Sequence, residues 1–277
     1  MYMKRRQKGP RLRGLLAAFV DQRQREGRYT FTEAEFASRS PQSPAARRQA
    51  LWRLERTGRI VRPMPKHGFF VIVPHEFHSM GSPPISWYLD ALLRHLDLPC
   101  YYVGLLTAAQ WHGATHVPVQ ETQVVVPRQL RPMRAGRERI RFFTKSDAAA
   151  TAVETQSNEA AAVRVSTPEA TAADLVRYMQ AVGGLNAAAT ALAELGPRLG
   201  AAKLRAVLER EGDPAAAQRL GHILESVGAG RAATSLGGWL ARVHPRVRPL
   251  DPRAPAENVP RDARWNLWVN AKVEPAT

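Results

Sequence analysis

The stretch Ser43-Pro-Ala-Ala-Arg-Arg-Gln-Ala-Leu-Trp-Arg-Leu-Glu-Arg-Thr57, closed by Gly58, decides how this 277-residue chain is read. The Ser43 hydroxyl can accept from an orphan amide of a first helical turn. Pro44 brings a preset φ and has no amide to leave unpaired, so a helix starts here. Gly58 stops it just after Thr57. On a 3.6-residue wheel Ala46, Ala50, Leu51, Leu54 and Thr57 fall on one side, and Ala45, Arg48, Gln49, Trp52 and Arg56 on the other. Arg47 and Arg53 complete the basic inventory of the helix. A basic helix face is usually a solvated one, but an indole placed among guanidiniums gains nothing from water.

Upstream, Leu12, Leu15, Leu16, Phe19 and Val20 recur at helical spacing and predict a helix over 11–26, ending at Gly27. Thr32 and Glu35 have capping-box spacing, which satisfies two amides at the start of a short helix through Ala37 or Ser38. Residues 39–42 carry turn chemistry. Downstream, Arg59-Ile-Val-Arg-Pro63 and Phe69-Phe-Val-Ile-Val73 are β-prone, with Met64–Gly68 as the turn between them. Two helices, a third helix and a hairpin form the order of a winged helix-turn-helix. In that arrangement the third helix enters the major groove, and the hairpin tip lies against phosphate or minor groove. The DNA-contact candidates are therefore Arg47, Arg48, Gln49, Trp52, Arg53 and Arg56 on the helix, with Arg62, Lys66 and His67 on the wing. The same fold also serves as a protein–protein module, and that alternative stays open.

Charge agrees with a polyanion partner. The chain carries a net +16, and residues 1–80 hold 17 basic and 6 acidic side chains, a net of +11. Such a cluster speeds encounter with nucleic acid, though charge alone does not choose DNA over RNA or anionic lipid. The lead Lys4-Arg-Arg-Gln-Lys8, with Arg11 and Arg13, reads either as an arm tracking phosphates or as a solubilising tail. A second basic stretch follows from Arg128 to Arg141. Its Arg128, Arg131, Arg134, Arg137 and Arg139 form either a phosphate-contacting loop, with Arg131 and Arg134 as added DNA-contact candidates, or a solvated one. The single Cys100, the lack of a secretory leader and the lack of a membrane-length apolar run point to the cytoplasm and away from a membrane.

Gly81-Ser-Pro-Pro84 reads as a flexible linker. Beyond it, helices are expected over 87–96 and 101–111, strands over 121–127 and 140–144, and a short strand over 161–165. The Ser166–Asp174 segment starts a run of helices that reaches about Leu240, broken at Gly183-Gly184, Gly196-Pro197, Gly212–Pro214 and Gly228–Gly230. Residues 244–262 hold five prolines and read as an extended connector. Arg264–Asn270 alternates like a strand, with Trp265, Leu267 and Val269 on one face. The fold class is α+β: an amino-terminal winged helix-turn-helix, then a larger mixed α/β, helix-rich domain. The expected division is a basic arm over 1–10, the DNA-binding domain over 11–80 and a regulatory domain over 81–277.

The winged-helix order, Tyr101–Gly113, Val165–Tyr178, Gly183-Gly-Leu185 and Arg264-Trp-Asn-Leu-Trp-Val-Asn270 together resemble the AbiEi antitoxin family of type IV toxin–antitoxin systems. The resemblance implies a transcriptional repressor that binds inverted repeats in double-stranded DNA ahead of its own operon. It also implies a carboxy-terminal domain that counteracts a nucleotidyltransferase-like toxin while supporting DNA binding. The alternative is an antitoxin that binds or modifies the toxin directly, with DNA binding secondary.

Motifs for catalysis are sparse. The sequence has no glycine-rich phosphate loop and no thiolate cluster for zinc. His75-x-x-His78 and His112-x3-His116 have spacings a metal could use but no carboxylate set to complete them. A nuclease of the restriction-enzyme type wants acid-x-Lys on a strand beside another acid. Glu121 has Gln123 as its second neighbour, and Lys145 is remote in sequence. No catalytic site, metal or cofactor is expected.

Overall fold

The computed structural model describes residues 14–114 and 119–276. The basic arm over 1–10, Arg11, Arg13 and His116 lie outside the described residues. The helices are α1 (Leu15–Arg25), α2 (Glu33–Ser38), α3 (Pro44–Arg56), α4 (Leu89–His95), α5 (Leu105–Trp111), α6 (Pro168–Arg177), α7 (Leu185–Leu195), α8 (Ala201–Glu211), α9 (Pro214–Ser226) and α10 (Gly230–Val243). The strands are β1 (Thr30–Thr32), β2 (Ile60–Val61), β3 (Phe69–Ile72), β4 (Tyr102–Val103), β5 (Thr122–Val126), β6 (Met133–Ala135), β7 (Glu138–Thr144), β8 (Val153–Ser157), β9 (Ala162–Ser166), β10 (Arg248–Pro249), β11 (Arg261–Asp262) and β12 (Leu267–Trp268). The architecture is α+β, and no described helix is long and apolar enough to cross a membrane.

Two compact units divide the chain. The first takes the chain up to Pro99, together with Pro132–Ile140 and Ser157–Val163. Its core is an aromatic and aliphatic cluster of Leu16, Phe19 and Val20 from α1, Phe31, Phe36, Ala50, Leu51, Ile60, Phe70 and Ile72. The expected capping box at α2 is complete: Glu35 N–H donates to Thr32 Oγ1 at 3.1 Å, and Thr32 N–H donates to Glu35 Oε2 at 2.7 Å. Ser43 caps α3 through the Ala46 amide at 3.3 Å, with Pro44 as its first residue.

The sheet of this unit has three strands in the order β1-β3-β2, where the sequence suggested only a hairpin. Phe31 pairs with Phe70 and Ile60 with Ile72. The missed strand β1 is only three residues long, too short for an alternation to show. Gly81–Pro84, read as a flexible linker, is packed instead. Ser82 and Pro83 are buried, and Ser82 Oγ donates to the Pro83 carbonyl at 2.8 Å. The glycine and prolines there shape a tight, buried crossing.

The second unit comprises Cys100–Arg131, Arg141–Gln156 and Arg164–Thr277. Its strands run in the order β7-β5-β4-β9-β8. β4 pairs antiparallel with β5, Tyr102 opposite Val125, and parallel with β9, Val103 opposite Val165. The helix expected over 101–111 therefore starts later, because Tyr102 and Val103 are taken by the sheet. Within the expected Ser166–Asp174 start, Thr167 caps α6 through the Ala170 amide at 3.3 Å. The helical run breaks at the glycines foreseen, with Gly212 left-handed at φ +60°. The alternating Arg264–Asn270 stretch is a strand only at Leu267–Trp268, and β12 sits between β10 and β11. Its apolar face is kept: Trp265 and Leu267 are fully buried in the helical core.

Candidate nucleic-acid interface

On α3 the buried positions are Ala50 and Leu51, which join the core of the first unit. Arg48, Gln49, Trp52, Arg53 and Arg56 are exposed, and Trp52 keeps 53% of its surface in solvent. Arg56 lies one turn beyond Trp52, with its guanidinium 5.2 Å from the indole centroid. The cation steadies the ring at an exposed site. The single acid of the helix, Glu55, is spoken for by Arg62, Nη2 to Oε2 at 3.0 Å. Arg48, Arg53 and Arg56 make no ion pair with a described residue. An exposed face with three such guanidiniums and a flat aromatic can attract negative charge and pack against a flat or methylated edge.

The other candidates divide. Arg47 is half-buried and donates from Nη1 to the Gln42 carbonyl, which ties α3 to the turn before it. Its wheel position, among the buried side chains, accounts for that. Arg62 is bound to Glu55, donates to the Pro65 carbonyl at 3.2 Å and lies 4.9 Å over the Phe70 ring. It braces the β2–β3 turn from within. Lys66 and His67 are exposed at the turn itself, and the His67 carbonyl faces His95 Nε2 at 2.7 Å. α3 and the turn thus carry five exposed helix candidates and two exposed turn candidates, while Arg47 and Arg62 hold backbone carbonyls.

The stretch expected as a loop from Arg128 to Arg141 is in large part a hairpin. Met133 pairs with Ile140, Arg134 with Arg139 and Ala135 with Glu138, leaving Gly136-Arg137 as the turn. Gly136 adopts φ +57°, the left-handed value a two-residue hairpin turn asks of its first residue. Arg131 and Arg134 are both exposed. In the sequence Arg139 stands only as one of the arginines of an expected loop. Its role as the cross-strand partner of Arg134 could have been found from the Gly136-Arg137 turn flanked by alternating apolar and basic residues.

The second unit holds a different assembly of charge. Lys145 Nζ donates to Glu211 Oε1 at 2.7 Å and to Thr151 Oγ1 at 2.7 Å, and lies 3.5 Å from Asp174 Oδ1. Arg177 joins Asp174 at 3.1 Å, Glu211 at 2.9 Å and Asp213 at 2.8 Å. The Tyr102 hydroxyl donates to Asp174 Oδ2 at 2.7 Å. Burial drives the Asp174 carboxyl upward against the opposing pull of Lys145, and burial beside Asp174 drives Tyr102 upward too. Burial lowers Arg177, but the Asp174 and Glu211 carboxylates outweigh it and leave its guanidinium more firmly charged. Gln123, at the place where the acid-x-Lys pair of a nuclease would carry its lysine, instead accepts from the Leu106 amide at 2.8 Å. Among the described residues no group of three or more His, Cys, Asp and Glu could hold a metal ion.

A family model described as the AbiEi antitoxin C-terminal domain matches residues 102–226. No curated protein matches the chain. The crystal structure of the RV2827C protein from Mycobacterium tuberculosis is similar in fold, with a TM-score of 0.63, 19% identity, and 91% of this chain and 90% of that chain covered. The matched family segment takes in β4, the helices α6 to α9 and every carboxylate of the buried cluster. Residues 102–226 of this chain thus carry the sequence pattern of the AbiEi antitoxin C-terminal domain.

Proposed function

We propose that the chain is a DNA-binding repressor and antitoxin. Its amino-terminal unit is a winged helix-turn-helix that reads double-stranded operator DNA with inverted repeats. Its AbiEi domain counteracts a nucleotidyltransferase-like toxin. The observation that carries the DNA half is the outward face of α3: Arg48, Gln49, Trp52, Arg53 and Arg56 exposed together, with Glu55 drawn off by Arg62. Arg48 and Gln49 lie in the first half of the helix, toward the end where a recognition helix meets base edges, and Trp52 follows Arg48 by one turn. Arg53 and Arg56 lie further along, and Lys66 and His67 on the wing are placed for backbone contacts. Arg47 and Arg62 act on this reading by holding the turn and the wing in position.

The test has two parts. A gel-shift titration compares the DNA ahead of the chain's own coding sequence with a scrambled duplex at fixed salt. Preference for the first supports a sequence reader, and equal affinity rejects it. Co-expression with the neighbouring toxin then asks for neutralisation. Loss of neutralisation on deleting residues 102–226 supports the antitoxin assignment, and full protection without them rejects it.

A further inference from the structure

The β6–β7 hairpin carries its arginines on one face. Arg134 and Arg139 are direct cross-strand partners, and both are exposed. Arg141 follows Arg139 two residues on. The residues of the other face, Met133, Ala135 and Ile140, are buried. Side chains directly opposite on adjacent strands have Cβ atoms about 5 Å apart, and like charges there repel. Neither Arg134 nor Arg139 has an ion pair with a described residue; Arg134 Nε donates to the Gly136 carbonyl at 2.9 Å. The hairpin's one acid, Glu138, shares the parity of buried Ile140, and burial raises its carboxyl.

The hairpin is also held rigidly within the first unit. The Arg137 amide donates to the Met80 carbonyl at 2.9 Å. Gly136 comes so close that a Cβ there would stand 2.3 Å from the Met80 oxygen. Met80 lies eight residues beyond the last residue of β3, the wing strand. The residues 132–140 therefore belong to the same compact unit as α3, although 75 residues of sequence separate Pro132 from Thr57.

We infer that this hairpin is a second DNA-contacting element of the reader, a two-stranded ribbon whose Arg134 and Arg139 neutralise backbone phosphates of the duplex that α3 engages. The inference rests on the DNA-reading proposal above. A groove of B-DNA admits a two-stranded ribbon, and paired guanidiniums left without carboxylates are suited to phosphates. On this account the DNA-binding unit is discontinuous in sequence.

The experiment uses the full chain with Arg134→Gln/Arg139→Gln, measured as log K against log [salt] on operator and scrambled DNA. A control, Arg246→Gln/Arg253→Gln, removes the same charge from exposed positions of the second unit. Each phosphate contact contributes about 0.9 to the slope, so the hairpin variant should flatten it by roughly one to two units with operator preference unchanged. The control should leave the slope within error. A slope unchanged in the hairpin variant, or lowered equally in the control, overturns the inference. An unchanged slope with lost toxin neutralisation also overturns it, and assigns the ribbon to the protein partner. Arg48→Ala keeps the two proposals apart. If it abolishes operator preference while the hairpin variant binds as wild type, only the hairpin inference fails. If wild-type protein has no operator preference, the underlying reading fails.

Discussion

Gly221 lies flat beneath the Trp265 indole, so close that a Cβ on the glycine would stand 2.2 Å from the ring. One turn further along α9, Glu225 accepts from Trp265 Nε1 at 2.7 Å. The indole is thereby clamped from its face and its edge, and the last strands are fastened to the helical core.

The clamp predicts the sign of a single substitution. Glycine to alanine inside a helix ordinarily gains about 1 kcal/mol. Here Gly221→Ala should lose about 1–3 kcal/mol, because the added methyl must displace a fully buried indole. A urea midpoint that falls with an unchanged slope would bear this out. A midpoint that rises would mean that Trp265 can move aside.

The buried ion cluster predicts a pH dependence. Lys145→Met leaves Asp174 and Glu211 with Arg177 as their remaining cation, at a cost of about 3–5 kcal/mol. Asp174 already has its folded pKa raised above the ordinary 3.8 by burial, so the native state holds that proton more firmly than the unfolded chain does. Its contribution to stability is complete below 3.8 and is lost as pH rises through the folded pKa. Removing Lys145 takes away the charge that pulls this pKa down. The variant should therefore lose stability more steeply with rising pH than the wild type, in denaturant melts between about pH 4 and 8. Parallel curves would show that Lys145 does not act on Asp174.

The α2 cap titrates in the opposite direction. Burial raises the Glu35 carboxyl, but the Thr32 amide and the Arg23 guanidinium outweigh it, and the folded pKa lies below 4.5. Its contribution is present above 4.5 and disappears as pH falls through the folded value. Thr32→Ala should cost about 1 kcal/mol at neutral pH. Glu35→Gln should shrink the acid-side loss of stability, read as a smaller drop in Tm on acidification. An acid limb identical to wild type would remove Glu35 from the account.

Base readout predicts an asymmetry. Arg48→Ala should cost about 1–3 kcal/mol on operator DNA if the guanidinium is bidentate to a guanine, and less on scrambled DNA. Trp52→Ala should show the same pattern. Equal losses on both duplexes would make Arg48 a phosphate contact.

The amino-terminal helices were legible because their signals are local. Thr32 with Glu35 and Ser43 with Ala46 act across three residues, and a glycine or proline marks each boundary of α3 and of the later helical run. The exposed face of α3 followed from its period. What misled was equally local: Gly81-Ser-Pro-Pro84 has a linker's composition, and only burial of Ser82 shows it to be a packed crossing.

Sequence by itself determined the start, the stop and the basic face of α3 and the breaks of the later helical run, since each depends on neighbours within one or two turns. The tertiary structure alone decided that Gly136 rests on Met80 and that Lys145 meets Glu211 across 66 residues. Those contacts arise from the packing of elements distant in sequence. No spacing along the chain encodes them, because the contacts that select them form only when those distant elements pack together.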